Sequence, residues 1–172
     1  KYIINRENYH MRMFLDVDWK DFSPGFTYGH DIETAWLLVK ALDSLADKAV
    51  TERLLPDVIR IAEVCLEEAI GEHGQVIDAY DFATAQQLPE IIWWVQAEAM
   101  VGFLNAWQLT GEQYFYDQFE NVWNFTQSRI INGEKNEWVW GLKDDYTLMP
   151  GEDKAGLWKC PYHNSRAMIE VI

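Results

Sequence analysis

The chain has 172 residues, 49% of them hydrophobic and 24% charged, a composition that fits one soluble globular domain and excludes disordered and fibrous classes. Lys and Arg number 14 against 28 Asp and Glu, a formal net charge of -14, so nucleic acid and anionic membrane surfaces are excluded as partners. No apolar run reaches the ~20 residues of a membrane span, the opening Lys1-Tyr2-Ile3-Ile4-Asn5 holds no signal-peptide core, and Cys65 and Cys160 alone are too few for a disulfide framework and suit a reducing, cytoplasmic setting.

The first clear element is a helix from Gly29 to Ala49, in which Ile32, Ala35, Trp36, Val39, Leu42, Leu45, Ala46 and Ala49 recur at three-and-four spacing. A second carries Leu54, Leu55, Val58, Ile59, Ala62, Cys65, Leu66 and Ala69 up to Gly71, with Thr51 as its expected N-cap and Pro56 in its first turn. Weak alternation from Gly74 to Asp81 predicts a short strand or β-turn excursion before Pro89. A third helix runs from Trp93 to Leu109, with Val95, Ala99, Phe103, Ala106 and Trp107 on one side. Gly111 separates it from a fourth, Tyr114 to Ile130, carrying Phe115, Phe119, Val122, Trp123 and Thr126. Beyond Gly133 the alternation Trp138-Val139-Trp140 predicts another short strand, and the stretch from Lys143 to Gly156 a long loop. A last helix is expected from an N-cap at Asn164 to Ile172.

The helical hairpin therefore repeats. The first helices of successive units begin at His30, at Trp93 or Trp94, and at His163, a period of roughly 60 to 70 residues of the kind that stacks into a toroid or solenoid. If alternate helices form an inner ring, their N-terminal ends meet at one end of the assembly and these residues share a cleft. Aromatic residues make up 15% of the chain and Trp alone contributes nine. An indole stacks on the C–H face of a sugar ring, although a Trp-rich helical core accounts for the same count.

Three segments carry a family resemblance: Phe26-Thr27-Tyr28-Gly29-His30-Asp31-Ile32-Glu33, the run Trp93-Trp94-Val95-Gln96-Ala97-Glu98 continuing to Ala106, and Lys154 to Arg166 with Trp158-Lys159-Cys160-Pro161-Tyr162-His163 at its centre. In this order they resemble the cellobiose 2-epimerases of the N-acylglucosamine 2-epimerase superfamily. The resemblance implies an all-α fold, an (α/α)6 barrel of helical hairpins with short β-hairpin excursions in its loops. Residues 1–172 are then the C-terminal part of a single catalytic domain, about half of the barrel. The missing N-terminal half, or self-association of two copies, would cover inner-ring positions such as Trp36 and Phe103, which are otherwise expected to form an exposed apolar patch.

The implied reaction inverts C2 of the reducing-end glucose or mannose of a β-1,4-linked disaccharide: cellobiose, lactose or mannobiose. A proton α to the open-chain aldehyde is removed and another returned to the opposite face of an enediol-like intermediate. An imidazole titrating near neutral pH serves both steps. By the resemblance His30 and His163 are that acid/base pair, and no cofactor is needed because the aldehyde is the electron sink. Helical spacing puts Glu33 on the face of His30, where it would orient the imidazole or simply favour the helix N-terminus. Arg166, one turn after His163, is a donor to a sugar hydroxyl or enediolate oxygen, or a salt bridge within the barrel. Trp158 and Trp93 or Trp94 are the sugar-stacking candidates, one of that pair pointing into the helix layer. Glu98 would bind substrate hydroxyls, or be buried with Gln96.

Other readings stay open. N-acylglucosamine 2-epimerases and aldose–ketose isomerases are close alternatives, although Gln96, Glu98 and the segment ending in His163 favour disaccharide epimerases. An (α/α)6 glycoside hydrolase would need two catalytic carboxylates and leave both histidines idle. A sugar-binding, inactive half-barrel is the non-enzymatic reading. Cys160 and His163 lack the further closely spaced ligands of a metal site, and Cys160 lacks the partners of a nucleophile. His10 and His73 have no assigned role and are expected at exposed or strand-edge positions.

Overall fold

The computed structural model describes residues 2–132 and 137–172, so the break expected at Gly133 lies outside the described residues. Five α-helices among them form two hairpins and one further helix: α1 (Tyr28–Leu45) with α2 (Lys48–Glu68), α3 (Trp93–Thr110) with α4 (Gln113–Phe125), and α5 (Tyr162–Val171). Helices α1, α3 and α5 pack side by side as one layer, while α2 covers α1 and α4 covers α3. This is the alternation of inner and outer helices expected from the repeat.

The helix ends follow from local chemistry. Thr27 caps α1 by accepting from the His30 N–H, and the helix stops at Ala46, whose left-handed φ of 53° lets its N–H return to the Leu42 carbonyl. The expected continuation to Ala49 fails because Asp47, rather than Thr51, caps α2 by accepting from the N–H groups of Ala49 and Val50. With α2 beginning at Lys48, Pro56 lies in its interior instead of its first turn, where its ring removes one intrahelical bond. Helix α4 was expected to reach Ile130. It ends at Phe125 and passes into a π-helical turn, Thr126–Ile130. Helix α5 starts at Tyr162 with Pro161 at its cap, two residues before the expected N-cap Asn164, whose side chain accepts from the Ser165 N–H.

Short antiparallel ladders tie the loops to the layer. Strand β1 (Gly25–Thr27) leads directly into α1 and pairs with β2 (Ala79–Asp81), which pairs with β3 (Gln86–Leu88), in the register Phe26↔Tyr80↔Gln87. Strand β4 (Ile91–Ile92) leads into α3. The single strand expected around Trp138–Trp140 is split: β6 (Glu137–Trp138) pairs with β5 (Ile131–Asn132), and β7 (Gly141–Leu142) pairs with β4.

The core lies between the two helix layers. Tyr28, Ile32, Trp36, Met100, Phe103, Phe115 and Ile130 are all buried in it, and a smaller cluster of Met11, Val39, Val58 and Ile61 joins the N-terminal segment to α1 and α2. The exposed patch expected at Trp36 and Phe103 is thus absent, because α3 and its neighbours cover both side chains. The exposed large apolar residues include Phe14, Val17, Trp19 and Phe22 of the N-terminal segment.

Helix α3 is apolar on nearly every side because α1, α4 and α5 all contact it. It packs tightly on α1 at Gly102, where an added Cβ would lie 2.3 Å from Cγ1 of Ile32 and 3.1 Å from its carbonyl oxygen. Gly102→Ala should therefore push α1 from α3 and destabilise the fold by about 1–3 kcal/mol, the usual range for overpacking. Urea unfolding followed by circular dichroism checks this; an unchanged midpoint would show that the helices yield freely there.

Candidate active site

Three helix starts converge on one cleft. Thr27 ends β1, so the cap that begins α1 also fixes the imidazole one turn later: its Oγ1 lies 2.5 Å from His30 Nδ1 as well as accepting from the His30 N–H. At the start of α3 the Trp93 N–H donates to the Trp140 carbonyl. Trp93 turns into the core and is buried, while the half-buried Trp94 faces the cleft, its ring centroid 4.8 Å from that of His30 and 5.3 Å from that of His163. Helix α5 supplies His163 and, a turn later, Arg166. His30, Trp94, Trp140, Trp158 and His163 line the resulting cleft of about 370 Å³, within the range of small-ligand sites.

Beneath the cleft lies a buried ionic group. Glu98 of α3, 1% exposed, accepts from Trp36 Nε1 at 3.0 Å, from His163 Nδ1 at 2.6 Å and from Arg166 Nη2 at 2.6 Å. Because a carboxylate only accepts, His163 Nδ1 must carry a hydrogen, which leaves Nε2 to act elsewhere. Arg166 also donates from Nη2 to Glu33 Oε1 at 2.6 Å and from Nη1 to the Tyr162 hydroxyl, and its guanidinium lies over the rings of Trp36 and Tyr162. Burial alone would lower the Arg166 pKa. The hydrogen bonds it donates to Glu33 and Glu98 outweigh it and hold the group above the ordinary arginine value.

The arrangement revises several expectations. Glu33 is bonded to Arg166, and Thr27 rather than Glu33 holds His30. Glu98 is buried and takes three protein donors, while Gln96, the neighbour with which a buried role was also open, is engaged separately, bonding the N–H and carbonyl of Val76. Arg166 takes the salt-bridge role. Thr27 and Trp140 were missed as site residues; Thr27 carried the signal of an N-cap three residues before His30, whereas Trp140 was visible only as one member of a strand. His10 is not exposed. It is buried against Phe26, with Nδ1 2.8 Å from Asp31 Oδ2 and Nε2 3.3 Å from Glu68 Oε2, whereas His73 is partly exposed beside Tyr146.

Glu33, Glu98 and His163 bring ligand atoms within 4.8 Å of one another, a spacing that invites a cation. Arg166 already fills that role in part: its Nη2 bonds both carboxylates and offsets one of their two charges. Cys65 is buried and Cys160 exposed, and both thiols are free. Among the described residues no helix is long and apolar enough to cross a membrane.

The sequence profile of the family described as N-acylglucosamine 2-epimerase (GlcNAc 2-epimerase) matches residues 3–167. The chain is 34% identical over 170 residues to a cellobiose 2-epimerase of Bacteroides fragilis, covering 99% of this chain and 43% of that protein. It is 34% identical over 171 residues to one of Dictyoglomus turgidum, with the same coverage of each. Among solved structures, a sugar epimerase from a ruminal bacterium superposes with a TM-score of 0.93 at 30% identity, covering 99% of this chain and 43% of that one. A D-mannose isomerase superposes with a TM-score of 0.83 at 21% identity, covering 98% and 47%, a likeness of fold alone. The chain thus spans 43% of the length of these two curated relatives, and its hairpins belong to the (α/α)6-barrel fold.

Asp78 and Glu90 stand behind the starts of α1 and α3: the Tyr28 N–H donates to the Asp78 carbonyl, and the Asp78 N–H to that of Glu90. Burial, reinforced by the Glu90 carboxylate, pushes the Asp78 carboxyl from the ordinary 3.8 up to about 6. A carboxyl raised in the folded state contributes stability that is complete below its unfolded pKa and is lost as pH rises through the folded one. Between pH 3.8 and about 6 this group should make the protein less stable as pH rises, and Asp78→Asn should flatten that segment and raise stability at pH 7. Thermal melts of both proteins across the window test this; parallel profiles would refute it.

Proposed function

The chain belongs to the N-acylglucosamine 2-epimerase family, and we propose that it carries the proton-transfer histidines and part of the sugar site of a carbohydrate 2-epimerase. The reaction is inversion of C2 at the reducing-end glucose or mannose of a β-1,4-linked disaccharide such as cellobiose. The observation that supports it best is the pair of imidazoles, His30 and His163, presented by two different inner helices to one tryptophan-lined cleft. Inverting a carbon centre by proton transfer is served by one group on each of its faces, and two histidines on separate helices are suited to that arrangement.

In this reading the reducing sugar is held in its open-chain form. One imidazole takes the C2 proton, the C–H electron pair forms the C1=C2 bond as the C1=O1 π pair moves onto O1 to give an enediolate, and the other imidazole delivers a proton to the opposite face of C2 as the aldehyde re-forms. The reverse reaction exchanges their roles. The aldehyde accepts the electron pair, so no cofactor enters. His163 works through Nε2, because Nδ1 is committed to Glu98, and the carboxylate pairs with the imidazolium when it forms. Glu98, Arg166 and Glu33 act as positioning residues that hold His163 and the helix bearing it. Trp94, Trp140 and Trp158 offer apolar faces to the sugar rings, and Trp93 supports His163 from the core with an edge contact of 5.6 Å between centroids. We place residues 1–172 in one cytoplasmic (α/α)6 catalytic domain, its remaining hairpins supplied by further sequence or by a second copy.

In the intact enzyme His30→Asn and His163→Asn should each lower epimerisation by about 10²-fold or more, the usual weight of a general acid/base, while leaving the fold intact. Proton NMR with cellobiose in D2O should show deuterium entering C2 of a glucosyl-mannose product. Near-normal turnover in either variant would remove that histidine from the mechanism, release of free monosaccharides would indicate a glycoside hydrolase, and a ketose product would indicate an isomerase.

A further inference from the structure

Trp158 lines the cleft, yet its residue is 82% exposed. A side chain so little covered has almost no packing of its own to fix it, so its place is set by the backbone that carries it. That backbone is a tight turn. The Gly156 N–H donates to the Lys159 carbonyl and the Lys159 N–H to that of Gly156, leaving Leu157 and Trp158 at the tip. The turn closes the loop that follows β7, and the anchor of this loop is the next residue in the chain.

Lys159 is 3% exposed, an unusual place for a lysine. Its ammonium has three N–H donors and three protein acceptors: the Trp138 carbonyl at 2.6 Å, Glu137 Oε1 at 3.0 Å and the Lys154 carbonyl at 3.0 Å. It also lies 5.0 Å from the ring centroid of Trp93, the indole that supports His163. Packing alone would not call for a charge here, since an apolar side chain of the same length would fill the space without the desolvation cost of an ammonium. What the ammonium adds is a fixed separation between two pieces of chain. Lys154 and Lys159 belong to the loop that bears Trp158. Glu137 and Trp138 form β6, just before Trp140, which lines the same cleft as Trp158.

We propose that Lys159 is a positioning residue that sets the gap between Trp140 and Trp158 and so controls how tightly the sugar is held, without taking part in proton transfer. This rests on the epimerase reading given above for its kinetic arm. Its structural arm, the position of Trp158, does not depend on it.

The test uses the full-length protein with Lys159→Met, which keeps the length of the side chain and removes its donors, and Glu137→Gln, a half-exposed change that weakens the same anchor without emptying a buried site. Acrylamide quenching of Trp158, isolated by subtracting matched Trp158→Phe proteins, should become more efficient in both variants. KM for cellobiose should rise by about tenfold in Lys159→Met and less in Glu137→Gln, with kcat within about threefold of wild type, the pattern of lost uniform binding. A fall in kcat at unchanged KM would overturn the proposal by placing Lys159 in the chemistry. Unchanged KM and unchanged quenching in a folded Glu137→Gln protein would overturn it as well. If Lys159→Met fails to fold, Glu137→Gln decides by the same two measurements. If the wild-type protein turns over no disaccharide, the epimerase reading fails, and the quenching comparison alone decides whether Lys159 positions Trp158.

Discussion

A carboxylate removed from water must be met by donors, and Glu98 meets its donors on the helices either side of its own. Trp36 reaches it from α1, and His163 and Arg166 reach it from α5. Losing the charged partner Arg166 would strand a buried charge, at a cost of several kcal/mol. The three inner helices are therefore tied at one level along their axes, and that level is the floor of the cleft. Apolar packing between α1 and α3 admits some sliding; a charge with three directional partners does not. The close approach at Gly102 and the edge contact between Trp93 and His163 both operate within the separation that this group imposes.

The two histidines consequently sit in different electrostatic surroundings. His163 is backed by an anion that is itself paired with Arg166, and its ring is gripped by Trp93, Trp94 and Tyr162. His30 is backed by the neutral hydroxyl of Thr27, on the residue that also caps its helix. One imidazole is positioned by tertiary contacts across three helices, the other by the local chemistry of a helix start. Beside His30, the pairing of Asp31 with the buried His10 fixes the first turn of α1 to the N-terminal segment. Burial raises the Asp31 carboxyl, and His10 offsets part of that rise.

The tryptophans divide by the same logic. Trp36, Trp93 and Trp138 are buried in the core, whereas Trp94, Trp140 and Trp158 line the cleft. Adjacent residues such as Trp93 and Trp94 fall into different groups because successive helical positions are rotated by about 100°. Trp138 and Trp140 separate for another reason: the chain changes partner between β6 and β7, so the period-two rule that would put both on one face does not hold across the break.

Much of this was legible in the sequence. Apolar spacing located both helical hairpins, Gly111 marked a turn between helices, and the order of the three motifs indicated the barrel family and both histidines. These signals are local, since helical periodicity and turn chemistry depend on residues within a few positions of one another. What the sequence could not decide was which side chain each polar group meets. Spacing put Glu33 beside His30, and the fold gave it to Arg166, more than a hundred positions away; Glu98 was open to a substrate-binding or a buried role, and the fold met it with donors from two other helices. Lys159 stood in the third motif without a role of its own, and the fold made it a buried anchor. Hydrogen bonds and ion pairs are short and directional, and their partners come from elements far apart in the chain, so only the packed arrangement of α1, α3 and α5 determines them.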